Sequence, residues 1–503
     1  MIEILCNDET FTYNTYHIVK AFYPSATVKS RVEEKASHYV EAVFESGDVI
    51  AVSPEEAAKY TETDRQKNDA SALKKERKYR VDILFYWKLQ AYTGRSLAWG
   101  ILTGVRPTKI AMKKLTEGMD EEKFVPWFME DCLVSEEKAR LAWQIAKREK
   151  SLLDRLDYEK GYSLYVGIPF CPTVCTYCSF SSGSLADWGH RTEDYLDALC
   201  KELAFIGSAS KGKKLNTVYI GGGTPTSLSA EQLERLLTCI DLHFSREHLI
   251  EYTVEAGRPD SITKEKLEVI RSHGVTRISI NPQTMQQKTL DIIGRRHTVK
   301  DIVETYEMAR ALGFDNINMD LIAGLPGEDL PQMEDTLRQM EELRPDSLTV
   351  HSLAIKRAAK MGQDRKNRKQ QDDGNTAFGD FDHCFQDIGG MIEASAKSAH
   401  RMGLSPYYLY RQKNIAGNFE NVGYAKVDKA GIYNILIMEE KQSIIAAGAG
   451  SSTKILLKEP MILPGNKKQK ETNLIRLENV KAIDAYIDRI DEMIERKGEW
   501  LWH

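Results

Sequence analysis

The chain reads as an α/β protein: a partial (β/α)6 barrel preceded by an N-terminal α+β extension and followed by a C-terminal α+β region. Three observations predict this. Between about residues 160 and 352, six short β-rich runs alternate with amphipathic stretches, the pattern of a parallel sheet with helices outside it. Cysteine, glycine and polar residues recur where these runs end, the place where such an architecture keeps its chemistry. The segments on either side lack the alternation, which predicts units at 1–155, 156–374 and 375–503.

In chain order, residues 1–155 open with β-like runs at Met1–Leu5, Tyr39–Val43 and Val49–Val52 and turn helical after about Ser71. Gly104-Val-Arg-Pro-Thr-Lys109 predicts a turn opening a helix, with Pro107 in its first turn. The six core strands are expected at Ser163–Val166, Thr217–Ile220, Glu251–Glu255, Arg277–Ile280, Asn316–Leu321 and Ser347–His351. Helices fall between them, and the one containing Leu233–Leu237 opens with a capping box, Ser229-Ala-Glu-Gln232. Between Lys356 and Lys369 seven basic residues stand against one acidic, Asp364, a pattern expected of a mobile connection. Beyond about Thr376 come a long helix, a Tyr/Gly-rich segment at 407–424, two strand-like runs and an amphipathic helix near 481–496.

The charge is nearly balanced, 69 Lys+Arg against 74 Asp+Glu in 503 residues, for a net −5. That argues against a protein whose main task is coating nucleic acid. No apolar run approaches the roughly 20 residues of a membrane span, and the N-terminus lacks a basic-then-apolar signal. The expected location is the reducing cytoplasm. Cys6, Cys132, Cys200, Cys239 and Cys384 are scattered and read as buried apolar residues.

The chemistry starts at Gly167-Ile-Pro-Phe-Cys-Pro-Thr-Val-Cys-Thr-Tyr-Cys-Ser-Phe180, where Cys171, Cys175 and Cys178 stand at C-x3-C-x2-C spacing. A zinc site usually pairs C-x2-C knuckles or adds histidines, and no second pair lies near. Three thiolates on one loop can hold three irons of a cubane cluster and leave the fourth iron open, whereas most protein clusters take four cysteines. A second signal, Tyr219-Ile-Gly-Gly-Gly-Thr-Pro-Thr226, ends a strand in glycines whose backbone a ligand can approach closely. Glu255, Gln283 and Asp320 end later strands.

These motifs resemble the radical S-adenosylmethionine (SAM) enzymes. Residues 163–355 are similar to the core of the oxygen-independent coproporphyrinogen III dehydrogenase family, which includes HemW-type heme chaperones. Tyr-Val-x-Ile-Pro-Phe-Cys, Gly-Gly-Gly-Thr-Pro-Thr and Asp-Leu-Ile-x-Gly-Leu-Pro-Gly carry the resemblance. Gly-Val-Arg-Pro-Thr-Lys and the segment ending Asn-Val-Gly-Tyr424 extend it to the HemZ branch and almost the whole chain. The resemblance implies a barrel of the radical SAM type with a C-terminal α+β substrate-binding region, and Cys171, Cys175 and Cys178 as ligands of a [4Fe–4S] cluster. It implies a SAM site lined by Tyr165, Gly222, Gly223, Thr224, Glu255, Gln283, Arg295, Asp320 and Ala354.

By the same resemblance the expected activity is oxygen-independent decarboxylation of coproporphyrinogen III propionates to vinyls, giving protoporphyrinogen IX. The electron would come from a donor such as flavodoxin or ferredoxin. The alternative is a HemW-like chaperone that binds heme and delivers it. Gly167 stands where the family usually has His, Cys178-Ser-Phe180 replaces the dehydrogenases' Cys-x-Cys, and the chaperones' His-Asn-x-x-Tyr-Trp motif is absent. Arg411 and Lys413, with the basic 356–369 run, are candidate partners for propionates; Tyr407, Tyr408, Tyr410 and Tyr424 are candidates to pack on a tetrapyrrole.

Overall fold

The computed structural model describes residues 1–24, 26–59, 70–179, 182–355, 359–368, 387–412, 419–464 and 471–502. Lys413, Cys384 and parts of the basic 356–369 run lie outside them.

Strands β1 (Ile2–Cys6), β2 (Val28–Val32), β3 (Val40–Phe44) and β4 (Val49–Val52) form a small sheet ordered β2-β1-β3-β4. β1 and β3 bury alternate residues, the period-2 signature of a half-covered sheet. Ile2, Ile4 and Val40 meet Phe22 from helix Glu9–Phe22 and Phe85 from helix Ala70–Thr93 in a separate apolar core. The next three helices, Thr108–Thr116, Glu121–Cys132 and Glu136–Leu153, belong instead to the main core.

That core is built on β5 (Gly161–Ile168), β8 (Lys214–Gly222), β9 (Glu251–Gly257), β10 (Arg277–Ile280), β11 (Ile317–Ala323) and β12 (Ser347–Ser352), with β6 (Phe170–Cys171) and β7 (Gly183–Ser184) as a short pair after β5. The six main strands lie side by side in sequence order and parallel, the topology of a partial (β/α)6 barrel. Helix Ala230–His243 is opened by the predicted capping box between Ser229 and Gln232.

The C-terminal region extends both edges of this sheet. β13 (Ser405–Arg411) and β14 (Glu420–Ala425) add antiparallel beyond β12. On the other side β15 (Ser443–Ala447) pairs parallel with β5, followed by antiparallel β16 (Ser452–Ile462) and β17 (Glu471–Glu478). The core therefore has seven adjacent parallel strands, the seventh arriving from far along the chain.

Parallel strands buried on both faces usually read as continuous apolar runs. Here they alternate. Leu164, Val166, Val218, Ile220, Val254, Ile278, Met319 and Leu348 join the apolar core. The intervening Ser163, Thr217, Thr253, Ser279, Asn318 and Thr349 are polar and also buried. A buried polar face needs internal partners, and part of it finds them: Thr217 Oγ1 donates to Ser163 Oγ at 2.7 Å and Thr349 Oγ1 to Asn318 Oδ1 at 3.2 Å, while Thr253 Oγ1 is left without one.

The described part of the basic run corrects the expectation of a mobile connection. Residues Lys360–Arg368 are helical. Ala359 and Met361 are buried and the Met361 N–H donates to Thr176 O at 3.0 Å, so apolar anchoring against the cysteine loop outweighs the surrounding charge. No helix among the described residues is long and apolar enough to cross a membrane.

Candidate functional site

The cysteine loop leaves β5 and is pinned on two sides. Gly223 N–H donates to Ile168 O and Thr224 N–H to Phe170 O, both at 2.7 Å, which seats the glycine-rich end of β8 against Cys171. Thr176 N–H donates to Ile293 O at 3.1 Å and Thr173 Oγ1 to Gly294 O at 3.2 Å. Cys171 and Cys175 are buried, Cys178 is partly exposed, and none of the three is in a disulfide. Burial pushes the Cys171 thiol up, opposed by hydrogen bonds from Thr224 and Ser182. Among the described residues no three His, Cys, Asp or Glu side chains converge on a single ion. A tetrahedral zinc site needs such convergence; a cubane puts each thiolate on a different iron.

Register brings the polar strand residues together. Tyr165 is directly opposite Tyr219 and Tyr219 opposite Thr253, so Glu255 follows one pair further along the same face. Tyr219 OH donates to Glu255 Oε1. Across the sheet, Asp320 is opposite Thr349, with His351 one pair on. Asp320 accepts from Asn318 Nδ2 at 2.7 Å and lies 3.7 Å from His351 Nε2; Tyr410 OH is 3.2 Å from His351 Nδ1. Gln283 sits at φ +69° and ties itself to β11: its N–H donates to Asp320 O and its carbonyl accepts from Ile322 N–H, both at 2.9 Å. A non-glycine residue held there, with Oε1 buried and unpartnered, marks a position set by tertiary structure.

Burial raises the Glu255 carboxyl to about 7, aided by the nearby Asp320 charge and opposed by the Tyr219 hydroxyl and His351. Asp320 ends below the usual range: burial raises it, but His351, Asn318 and Thr349 outweigh that. Because the folded chain binds the Glu255 proton more tightly than the unfolded one, its contribution to stability is complete below the ordinary carboxylate pKa. It is lost as pH rises to about 7. Glu255→Gln should flatten that part of a melting-temperature profile between pH 5 and 8. A variant whose profile keeps the wild-type slope would show that Glu255 does not titrate there.

Residues 165–340 match the Radical SAM superfamily. The chain is 40% identical over 432 residues to the oxygen-independent coproporphyrinogen-III oxidase-like protein HemZ of Bacillus subtilis (strain 168), covering 85% of this chain and 81% of that protein. The chain belongs to the radical SAM superfamily, in the HemZ family. It is also 38% identical over 194 residues to the heme chaperone HemW of the same organism, covering 38% of this chain and 50% of HemW. The solved coproporphyrinogen III oxidase HemN of Escherichia coli shares the fold, with a TM-score of 0.50 at 20% identity over 69% of this chain and 73% of that one.

The cofactors of this radical SAM protein are a [4Fe–4S] cluster and SAM. The residues present fit that pair. Three cysteines outside any disulfide share one loop, and the glycine-rich strand end leaves backbone open beside them. Buried polar atoms without partners, Asn281 Oδ1, Gln283 Oε1 and Arg295 Nε, remain to meet a polar ligand.

Of the residues singled out in the sequence, Tyr165, Gly222, Glu255 and Asp320 lie within core strands, and Gly223, Thr224 and Gln283 follow them directly or within three residues. Arg295 is buried, donates to Asn281 O, and is held charged by Tyr177 and Cys175 despite the cost of burial. Ala354 follows β12, partly buried. Sequence reading missed Tyr219, His351 and Tyr433. The first two carry the same signal as Glu255, a polar side chain ending a core strand. Tyr433 gave none: it arrives on helix Ile432–Glu439 and stacks on Tyr219 with ring centroids 4.4 Å apart. Glu251 fixes that helix by accepting from Ile432 N–H at 2.6 Å and Tyr433 N–H at 3.1 Å.

Two expectations about substrate contacts are corrected. Arg411 is buried, donates to Leu102 O at 2.8 Å and lies over the Trp99 ring, so it ties the N-terminal segment to β13. Tyr407, Tyr408 and Tyr424 are core residues; only Tyr410 of that group is partly exposed.

Proposed function

We propose that this protein oxidatively decarboxylates coproporphyrinogen III to protoporphyrinogen IX without oxygen. Each of two propionates loses a hydrogen atom from its β-carbon, then CO2 and one electron, which passes to a one-electron acceptor, and becomes a vinyl group. In this reading Cys171, Cys175 and Cys178 hold the cluster, and Tyr165, Gly222, Gly223, Thr224, Glu255, Gln283, Arg295, Asp320 and Ala354 hold SAM. Together the cofactors supply hydrogen-atom abstraction from a carbon, driven by one electron from a flavodoxin- or ferredoxin-type donor. The protein's part is positioning and exclusion of water. Glu255 and Asp320 offer carboxylate oxygens to ribose hydroxyls, Arg295 offers its guanidinium to a carboxylate, and the glycines of 221–223 let backbone approach an amino group.

The observation that carries the reading is the likeness to the HemZ protein, which runs through both flanking regions as well as the core. The second reading, a heme-binding chaperone, is favoured by the likeness of the core to HemW. Anaerobic incubation of reconstituted protein with SAM, reductant and coproporphyrinogen III separates them. CO2 and vinyl products support the first; tight hemin binding with neither product supports the second. Deoxyadenosine formation that coproporphyrinogen fails to stimulate would point to another substrate.

A further inference from the structure

Arg258 follows β9 in Gly257-Arg258-Pro259-Asp260 and is 3% exposed. Its guanidinium is fully committed. Nε and Nη2 clamp Asp260 at 2.9 and 2.6 Å, while Nη1 donates to Thr173 O and Thr173 Oγ1, each at 2.8 Å, and reaches Cys175 Sγ at 3.7 Å. Asp260 also faces buried His297, whose Nδ1 is 3.7 Å away. The result is an oriented ion pair, cationic end on the sulfur and anionic end turned from it. None of the motifs that carry the family resemblance includes Arg258.

We propose that Arg258 is a positioning residue for cluster reduction: its charge-assisted N–H···S contact on Cys175 raises the potential at which the cluster accepts its electron. The proposal rests on Cys175 being a cluster ligand. Reduction adds one negative charge to the cluster, and hydrogen bonds to ligand sulfurs together with nearby charge set the potential of such centres. A fixed guanidinium stabilises the reduced form more than the oxidised form, and in a site this enclosed the effect is weakly screened. The carboxylate of Asp260 works against it from further away. Arg258 would thereby widen the range of flavin or iron–sulfur one-electron donors able to load the cluster. Arg295 also faces Cys175, but its proposed contact with SAM gives it a separate task; Arg258 has none.

The test is an electron-paramagnetic-resonance-monitored reductive titration of the reconstituted full-length chain, with iron and sulfide per chain measured alongside. Arg258→Met keeps the stem and removes the charge and donors. At the poise that half-reduces the wild-type cluster, its reduced-to-oxidised ratio should fall about tenfold, equivalent to about 59 mV for one electron. Asp260→Asn removes the opposing charge and should move the ratio upward. Opposite signs from two neighbours cannot come from general loosening of the loop. Full iron content with an unmoved midpoint in Arg258→Met overturns the proposal. If that variant loses iron, an unmoved or lowered midpoint in Asp260→Asn overturns it instead. A wild-type chain that takes up no four-iron cluster refutes the ligand assignment itself.

Discussion

Gly223→Ala is expected to empty the cysteine loop of its cluster while leaving the chain folded, cutting iron per reconstituted chain at least tenfold. Gly221 and Gly222 end β8 and Gly223 follows, and a Cβ at each meets a different obstacle. A Cβ on Gly221 would stand 2.9 Å from Glu255 Oε2. Gly222 has φ +110°, a conformation that side chains other than hydrogen rarely adopt, and its Cβ would also meet Ile168 O at 2.9 Å. Gly223 is not a positive-φ glycine, so space decides: its Cβ would lie 2.5 Å from Phe170 O and 3.0 Å from Cys171 Sγ. The first contact is with backbone that also accepts the Thr224 N–H, so it can yield only if the loop moves. Overpacking of this kind typically costs about 1–3 kcal/mol, which a chain of this size tolerates, but the displacement falls on Cys171, a proposed cluster ligand.

Gly167→Ala is the control. Its Cβ would sit 3.4 Å from Ala447 O, an ordinary contact, so it should keep its iron although it lies closer to the cysteines in sequence than Gly223 does. Iron assay and the absorbance of the reconstituted cluster check both. Equal iron in Gly223→Ala and wild type would mean that the loop is not seated on this strand end.

Much of the site was legible because strand alternation leaves a written trace. In Thr217-Val-Tyr-Ile220 and Asn318-Met-Asp-Leu321, every second residue is polar, and in a parallel sheet that pattern implies an interior face meant for something other than packing. Extending the rule from Glu255 to Tyr219 and His351 needed no structure. Depth was the hidden variable. Arg411 looks like a solvent-facing cation by residue type, yet β13 lies under the N-terminal segment and carbonyls of Leu102 and Gly104 meet its charge. Partners distant in sequence were equally hidden: no local signal says that Ser443–Ala447 joins the edge of β5, or that Tyr433 reaches Tyr219. The first 155 residues read as one extension, but its last helices bury their apolar faces in the main core because β13 offers them a surface.

The largest stability effect is expected at the opposite end of the chain. Glu202, on helix Thr192–Ala209, has no exposed surface and accepts from Lys497 Nζ, Tyr486 OH at 2.6 Å, Asn479 Nδ2 at 2.9 Å and Gly448 N–H at 2.9 Å. Lys497 also donates to Ala446 O at 2.7 Å. One carboxylate thus gathers the β15–β16 turn, the residue after β17 and both terminal helices, Ile483–Asp488 and Ile490–Gly498. Lys497→Met leaves that carboxylate buried with neutral donors only, and stranding one member of a buried pair costs about 3–5 kcal/mol. Glu202→Leu should cost at least as much, since it leaves the ammonium without its counter-charge and strands the Tyr486 hydroxyl and the Gly448 N–H. The double variant should lose less than the sum of the two, because neither charge is left unpaired. Urea midpoints of the four proteins measure this; additive losses would show that the pair is not coupled. The consequence reaches the cysteine loop. Tyr195 OH donates to Gly167 O at 2.7 Å and accepts from Ala449 N–H at 3.0 Å, so the segment that Glu202 holds in place also braces the strand from which Cys171 departs. Lys497→Met should therefore lower cluster retention during mild heating before the bulk of the sheet unfolds, a loss that iron release measured beside circular dichroism will show.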